Sequence, residues 1–415
     1  MQSIDRRAFL RQGSLAAAGT LLASRVVFAH APAAGDSRLV LVILRGAVDG
    51  LAAVAPYGDA HYARLRGELA LAAPGAPDGA LRLDGLFGLH PKLAFLHERY
   101  AAGELAVCHA IASPYRERSH FDGQDVLENG TMRPHDSDSG WLNRALAALP
   151  PRATQGRKEL GIALGQNVPL VLRGSAEISS WSPSRLATLD EDTLQRLQDL
   201  YARDPLLARR LADALAADAI ASGSGEMDAS EARGMDASRP RAAPAGQYIE
   251  LVRAAAGFLK RDDGPRVAVF DTIGWDTHAN EGGAQGQLGQ RFAALDTGLR
   301  TLKDELGPVW RSTAIALVTE FGRTAAVNGT RGTDHGTATV AFLLGGAVRG
   351  GMIADWPSLS PRSLFEGRDL APTRDLRSVL KGVLAEHLGV PSRALDEKVF
   401  PESRNVRPAR DLIRT

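Results

Sequence analysis

Three short motifs crowd carboxylates and imidazoles together: Gly-Trp-Asp-Thr-His at 274–278, Thr-Glu-Phe-Gly-Arg-Thr at 319–324 and Gly-Thr-Asp-His-Gly at 332–336. Asp276 and His278 are separated by one residue, so in extended backbone both side chains point the same way and can reach one cation. Asp334 and His335 are adjacent, and both can bind one ion only from an irregular loop. Oxygen donors with some imidazole suit a divalent metal: zinc, manganese, magnesium or calcium. Each pair also has a plainer reading, a carboxylate steadying a histidine or a surface turn; three such loops in succession strengthen the case for metal. Glu320 follows the apolar Ile315-Ala316-Leu317-Val318, which predicts a partly buried carboxylate. Arg323, three residues on, either neutralises Glu320 as a structural pair or grips an anionic substrate group through paired hydrogen bonds.

Two places in the N-terminal half carry similar chemistry. Asp49 closes Arg45-Gly46-Ala47-Val48-Asp49-Gly50 after an apolar run, and reads either as a metal ligand or as an Asp-Gly turn. Residues 116–125 pack a hydroxyl, an imidazole, carboxylates and guanidinium groups into Arg-Glu-Arg-Ser-His-Phe-Asp-Gly-Gln-Asp. In a helix from Ser119, His120 and Gln124 share a face, with Ser119 as a candidate nucleophile. The same residues fit a capped helix with Ser119 at the N-cap and Asp122 at N3, and a helix N-terminus is itself an anion site.

Such side chains need a scaffold that delivers them to one place. Leu39–Leu44 is apolar without alternation, as in a strand buried on both faces. Leu105–Ile111, Val267–Asp271, Ala314–Val318 and Val340–Leu344 also read as strands, and helices are predicted over His90–Ala102, Tyr248–Lys260, Leu288–Leu306 and Asp375–Leu388. This alternation predicts an α/β fold, a mostly parallel central sheet sandwiched between helices, with ligands gathered at the strands' carboxyl edge. A strand pair is expected around Gly165-Gln166-Asn167. Residues 150–246 read as a helical insertion or cap, ending in a small, polar, proline-bearing linker over 221–246.

With 415 residues, 44% hydrophobic, 23% charged and a formal net charge of +1, the chain gives no electrostatic case for nucleic acid. Cys108 is the only cysteine, which excludes an intrachain disulfide or a cysteine metal cluster, and it is expected to be buried. Residues 1–29 read as a twin-arginine signal peptide: Arg6-Arg7 precedes Phe9-Leu10, and the apolar run from Ser14 to Ser24 is too short to span a bilayer. That implies the twin-arginine export machinery as a partner, cleavage after Ala29, and a periplasmic or secreted chain without a permanent membrane anchor.

Several motifs in one order then resemble a family. Leu-Arg-Gly-Ala-Val-Asp-Gly (44–50), Arg-Ser-His-Phe-Asp-Gly-Gln-Asp (118–125), Gly-Trp-Leu-Asn-Arg-Ala (140–145) and the three opening motifs resemble the exported bacterial family called domain of unknown function 1501, over residues 36–402. That family looks like a remote member of the alkaline-phosphatase and sulfatase superfamily. The resemblance implies a single alkaline-phosphatase-like domain with one or two metals at the carboxyl edge. Carried over, Asp49 matches the metal carboxylate after the first strand. Asp276 and His278 match an Asp and a His of the other metal, though spaced more closely, and His335 matches the last metal histidine. Glu320-Phe321-Gly322 stands where an Asp-His-Gly is usual, so Phe321 costs the site an imidazole and one metal competes with two. Ser119 matches the nucleophile, and the roles usual there imply that His120 or Asp122 assists proton transfer and that Arg118 or Arg323 steadies the anion. The implied function is an exported metal-dependent hydrolase of phosphate or sulfate esters, with a small-molecule or glycan substrate. The alternative is a degenerate relative that binds a glycan or envelope partner without turnover.

Overall fold

The apolar runs assemble into one sheet. A computed structural model describes residues 36–157, 159–183, 191–201, 204–223 and 244–414; the expected export signal and most of the expected linker lie outside the described residues. Nine strands make the sheet: β1 (Arg38–Arg45), β2 (Leu105–Ala112), β3 (Gly161–Leu164), β4 (Ile178–Trp181), β5 (Val267–Ile273), β6 (Thr313–Val318), β7 (Thr339–Leu344), β8 (Gly351–Ile353) and β9 (Arg374–Asp375). Their order is β8-β2-β7-β6-β1-β5-β3-β4, with β9 also paired to β2. The central strands are buried along almost their whole length, which explains why their sequences do not alternate.

The named helices are α1 (Gly50–Ala53), α2 (His120–Asn129), α3 (Pro244–Lys260), α4 (Gln287–Leu306) and α5 (Leu376–Leu388). Alternate strand residues feed two apolar layers. Phe270 and Val40 pack with Leu259 of α3 and Phe292 of α4, while Val269 and Leu41 pack on the opposite face with Leu127 of α2 and Leu380 of α5. This is the expected α/β sandwich, and Ala34–Arg414 forms one compact unit. Cys108 is buried in it, and burial pushes its thiol up to about 12. Among the described residues no helix is long and apolar enough to cross a membrane.

Two local expectations are corrected. β7 runs antiparallel to both β6 and β2, whereas every other pairing in the sheet is parallel. A parallel return needs a crossover, commonly a helix, and residues 319–338 hold none, so the chain turns straight back into the sheet. The start of β7 therefore meets the carboxyl ends of β2 and β6. The expected pair around Gly165-Gln166-Asn167 is not a hairpin either: β3 stops at Leu164, and β4 joins it in parallel after a short turn at Leu170–Leu172. Residues 150–246 thus contribute two strands to the main sheet besides the helices Glu191–Tyr201 and Pro205–Gly223.

Candidate metal centre

Four segments meet at Asp276. It lies with His278 in the loop after β5; Glu320 and Arg323 follow β6; His335 precedes the reversed β7; His120 opens α2. Asp276 Oδ1 stands 3.0 Å from His278 Nε2, 3.5 Å from His335 Nε2 and 2.8 Å from Arg323 Nη2. Its Oδ2 stands 3.5 Å from His120 Nε2. Gly46 lets the end of β1 come this close, since its φ is +118° and a Cβ there would lie 2.7 Å from the Asp276 amide nitrogen.

Each imidazole is held from behind by an acceptor. His120 Nδ1 is 2.8 Å from Glu320 Oε1, His335 Nδ1 is 2.9 Å from the Arg118 carbonyl, and His278 Nδ1 is 3.3 Å from Asp334 Oδ1. Carboxylates and carbonyls only accept, so each Nδ1 carries a proton; Nε2 presents a lone pair in the neutral ring and carries a second proton only when the ring is charged. Acceptor-backed imidazoles of this kind are the usual form of a metal-binding histidine. All three Nε2 atoms face Asp276, and those of His278 and His335 stand 2.9 Å apart. Two lone pairs at that distance repel, so the geometry calls for a shared proton or a cation between them. Ligand atoms around a tetrahedral zinc stand about 3.3 Å apart, and the separations here bracket that value. The donor set therefore fits a divalent ion: ligand atoms of His120, Asp276 and His335 all lie within 4.8 Å of one another, and His278 Nε2 stands within 3.0 Å of both Asp276 and His335.

The charges divide unevenly. Burial works against the charged form of Asp276, yet the Arg323 guanidinium holds its carboxyl below the usual range. The bond to Glu320 holds the His120 imidazole above its ordinary value, against the cost of burial. Burial, aided by the neighbouring His120, pushes His335 below it. Arg323 is 2% exposed, and none of its guanidinium nitrogens makes a well-aligned hydrogen bond. Its approach to Asp276 is close but misdirected, and His120 Nε2 is likewise buried without a hydrogen bond.

Other expected site residues are placed around this cluster rather than in it. Glu320 is fully buried and accepts from the Gly46 amide, His120 and Gln124, so Arg323 is not its partner. Asp334 backs His278 and accepts from Asn328. Asp49 is engaged elsewhere: one oxygen caps α1 through the Leu51 and Ala52 amides, and the other meets Arg66 at 2.5 Å. Ser119 caps α2 by accepting from the Asp122 amide, Asp122 itself accepts from Tyr115, and Arg118 pairs with Asp369 and Glu366.

Residues that no motif marked form the floor. Glu281 Oε2 accepts from Thr277 and Thr333 at 2.9 and 2.8 Å, tying together the loops that carry His278 and His335, while its Oε1 faces Arg66 at 3.4 Å. Burial and the nearby Asp49 carboxylate push Glu281 up to about 8 from 4.5, while Arg66 holds Asp49 below its usual range despite burial. The folded protein thus binds the Glu281 proton more tightly than the unfolded chain, so this contribution to stability is full below pH 4.5 and lost as pH rises toward 8. Glu281→Gln, which mimics the protonated form, should flatten the pH dependence of the urea midpoint across that window. An unchanged slope would place the proton elsewhere.

No curated protein matches the chain. Among solved structures it is similar to the lipoteichoic acid synthase LtaP from Listeria monocytogenes, at 10% identity over 88% of this chain and 76% of that one, with a TM-score of 0.36. It is also similar to the C-terminal periplasmic domain of EcEptC from Escherichia coli in complex with Zn, at 11% identity over 75% and 73% of the two chains, TM-score 0.27. A third is BT1596, a 2-O GAG sulfatase, at 11% identity over 87% and 72%, TM-score 0.29. The family described as "Protein of unknown function (DUF1501)" matches residues 106–399, well over half of the 415, and the chain belongs to that family.

Proposed function

We propose that Asp276, His278 and His335 hold one divalent ion and that the chain is an exported hydrolase of phosphate or sulfate esters. The observation that carries this reading is the convergence of acceptor-backed Nε2 atoms on Asp276 beside a buried guanidinium with no aligned partner. Three protein ligands leave a position open for substrate. A divalent ion there would supply Lewis acidity, polarising an ester oxygen and easing deprotonation of the attacking oxygen.

The chain's own residues do the rest. Arg323 offers donors that an anionic ester oxygen would satisfy, and leaving them unmade costs about 1–3 kcal/mol. His120, held high by Glu320, is the proton donor to the leaving oxygen, while the depressed His335 stays neutral as a ligand; two imidazoles pushed apart in this way are what an acid and a ligand need. Ser119 has its hydroxyl turned to its own helix, so water is the attacking group in this account. Ser119→Ala should lower stability by about 0.5–2 kcal/mol through the lost cap and leave aryl-ester turnover largely intact. Loss of all turnover with an unchanged fold would restore Ser119 as the nucleophile.

Export through the twin-arginine machinery belongs to the same proposal. Protein purified from the periplasm should hydrolyse a 4-nitrophenyl phosphate or sulfate, lose that activity to a chelator and regain it with zinc or manganese. A second reading, a binder without turnover, is favoured by Phe321, whose ring packs 5.0 Å from His120 and 5.3 Å from His335 in place of a further ligand. Retained metal with no turnover of either ester class would favour it.

A further inference from the structure

We propose that Phe121 and Ile273 form an apolar grip on the group that the ester releases, making the substrate a phosphate or sulfate ester of an alkyl or aryl alcohol; this rests on the hydrolase reading above. Among the described residues these two are the most exposed of the large apolar side chains, at 87% and 77%. Apolar residues scattered singly over a surface need no explanation, whereas apolar residues gathered at a site do. Phe121 follows His120 directly, and Ile273 lies three residues before Asp276. Their Cα atoms are therefore about 3.8 Å from that of His120 and at most roughly 11 Å from that of Asp276, while His120 Nε2 and Asp276 Oδ2 stand 3.5 Å apart.

The sheet sets both on one side. Ile273 stands opposite Arg45 in the parallel pairing of β5 with β1, about 4.8 Å away, and positions paired in this way send their side chains to the same face. Arg45 shows which face that is, since its Nη1 donates to Gln124 at 3.0 Å and to Glu128 at 2.7 Å, both on α2. Ile273 thus leaves the sheet on the side of α2. Phe121 precedes Gln124 by three residues on that helix, and residues three apart are neighbours on a helix surface. Arg45 stands between the two apolar residues with its charge taken up by Asp271 and Glu128, so it does not call for a second anionic group.

The reaction says what covers them. Arg323 takes the ester's anion, and His120 gives its proton to the leaving oxygen. Whatever that oxygen carries begins within hydrogen-bond reach of His120, one residue from Phe121. An alkyl chain or aromatic ring laid there takes Phe121 and Ile273 out of water, and each methylene covered is worth roughly a fourfold gain. In the hydrolysis the oxygen of water bonds to phosphorus or sulfur, the bond from that atom to the alcohol oxygen breaks, and the C–O bond stays intact. The alcohol oxygen takes the proton of His120, and the proton that water gives up restores it.

The test compares wild type with Phe121→Ser/Ile273→Ser on the ethyl, butyl and octyl esters of phosphate and of sulfate, whose alcohols leave about equally well and differ in apolar length. Binding of the same esters to zinc-loaded protein is read separately by calorimetry, and binding to phosphatidylglycerol vesicles by flotation. In wild type kcat/KM should rise at least about tenfold from ethyl to octyl in one of the two ester classes, and the double variant should lose most of that preference. A wild type indifferent to chain length, or a preference that survives in the variant, overturns the grip and leaves the hydrolase standing. A surviving preference with vesicle binding lost does the same and assigns the pair to a membrane surface. Tighter binding of octyl than ethyl esters that the variant loses, with no turnover by wild type, supports the grip and removes the hydrolase. Neither binding nor turnover of any ester removes both.

Discussion

Arg323→Leu should lower kcat on an aryl ester by about 10²–10³-fold, the scale on which a preorganised donor to a developing oxyanion acts, without lowering the free energy of unfolding. The two halves of that result belong together. Arg323 is buried, and its guanidinium nitrogens lack aligned hydrogen bonds, so in the resting fold it is a cost carried rather than a bond enjoyed. Replacing a poorly satisfied buried charge by an apolar side chain of similar volume is often neutral or stabilising. A residue that only braced Asp276 would behave oppositely, destabilising the fold when removed and sparing kcat once the protein is folded. Urea denaturation beside steady-state kinetics separates the two.

Arg66→Ala should cost about 3–5 kcal/mol of stability, because it strips the cation from a buried group of charges. Arg66, Asp49 and Glu281 are at most 1% exposed, and Arg66 lies 2.5 Å from Asp49 and 3.4 Å from Glu281. With the guanidinium gone, Asp49 must hold its charge on amide caps alone or take up a proton. The damage should spread to the site, since Glu281 joins Thr277 to Thr333 under His278 and His335. A free energy of unfolding within about 1 kcal/mol of wild type would mean that water enters and replaces the cation.

The scaffold was largely legible because its physics is local. Leu39–Leu44 and Ala314–Val318 are buried on both faces and read so without reference to anything distant. Asp276, His278 and His335 were legible as well, each a polar exception at the edge of such a run. What escaped was decided over long sequence separations. An Asp-Gly turn and a metal carboxylate look alike in residues 45–50, and the partners that Asp49 has in the fold, the α1 amides and Arg66, include one that lies outside that stretch. Glu320 takes as partner His120, 200 residues earlier, rather than Arg323 three residues on, and the cap geometry of α2 decides that. The reversal of β7 was written in the helix-free stretch before it, a cue outweighed by the regular alternation of the strands upstream.

The Asp276 cluster should be a metal site, and metal content shows whether it is. Wild-type protein, His335→Ala and His120→Ala, each purified from the periplasm and dialysed against buffered zinc, would be compared by elemental analysis. About one equivalent is expected in wild type and His120→Ala, and a small fraction of that in His335→Ala, with turnover lost in both variants. Wild-type protein that holds no more divalent metal than His335→Ala would contradict it.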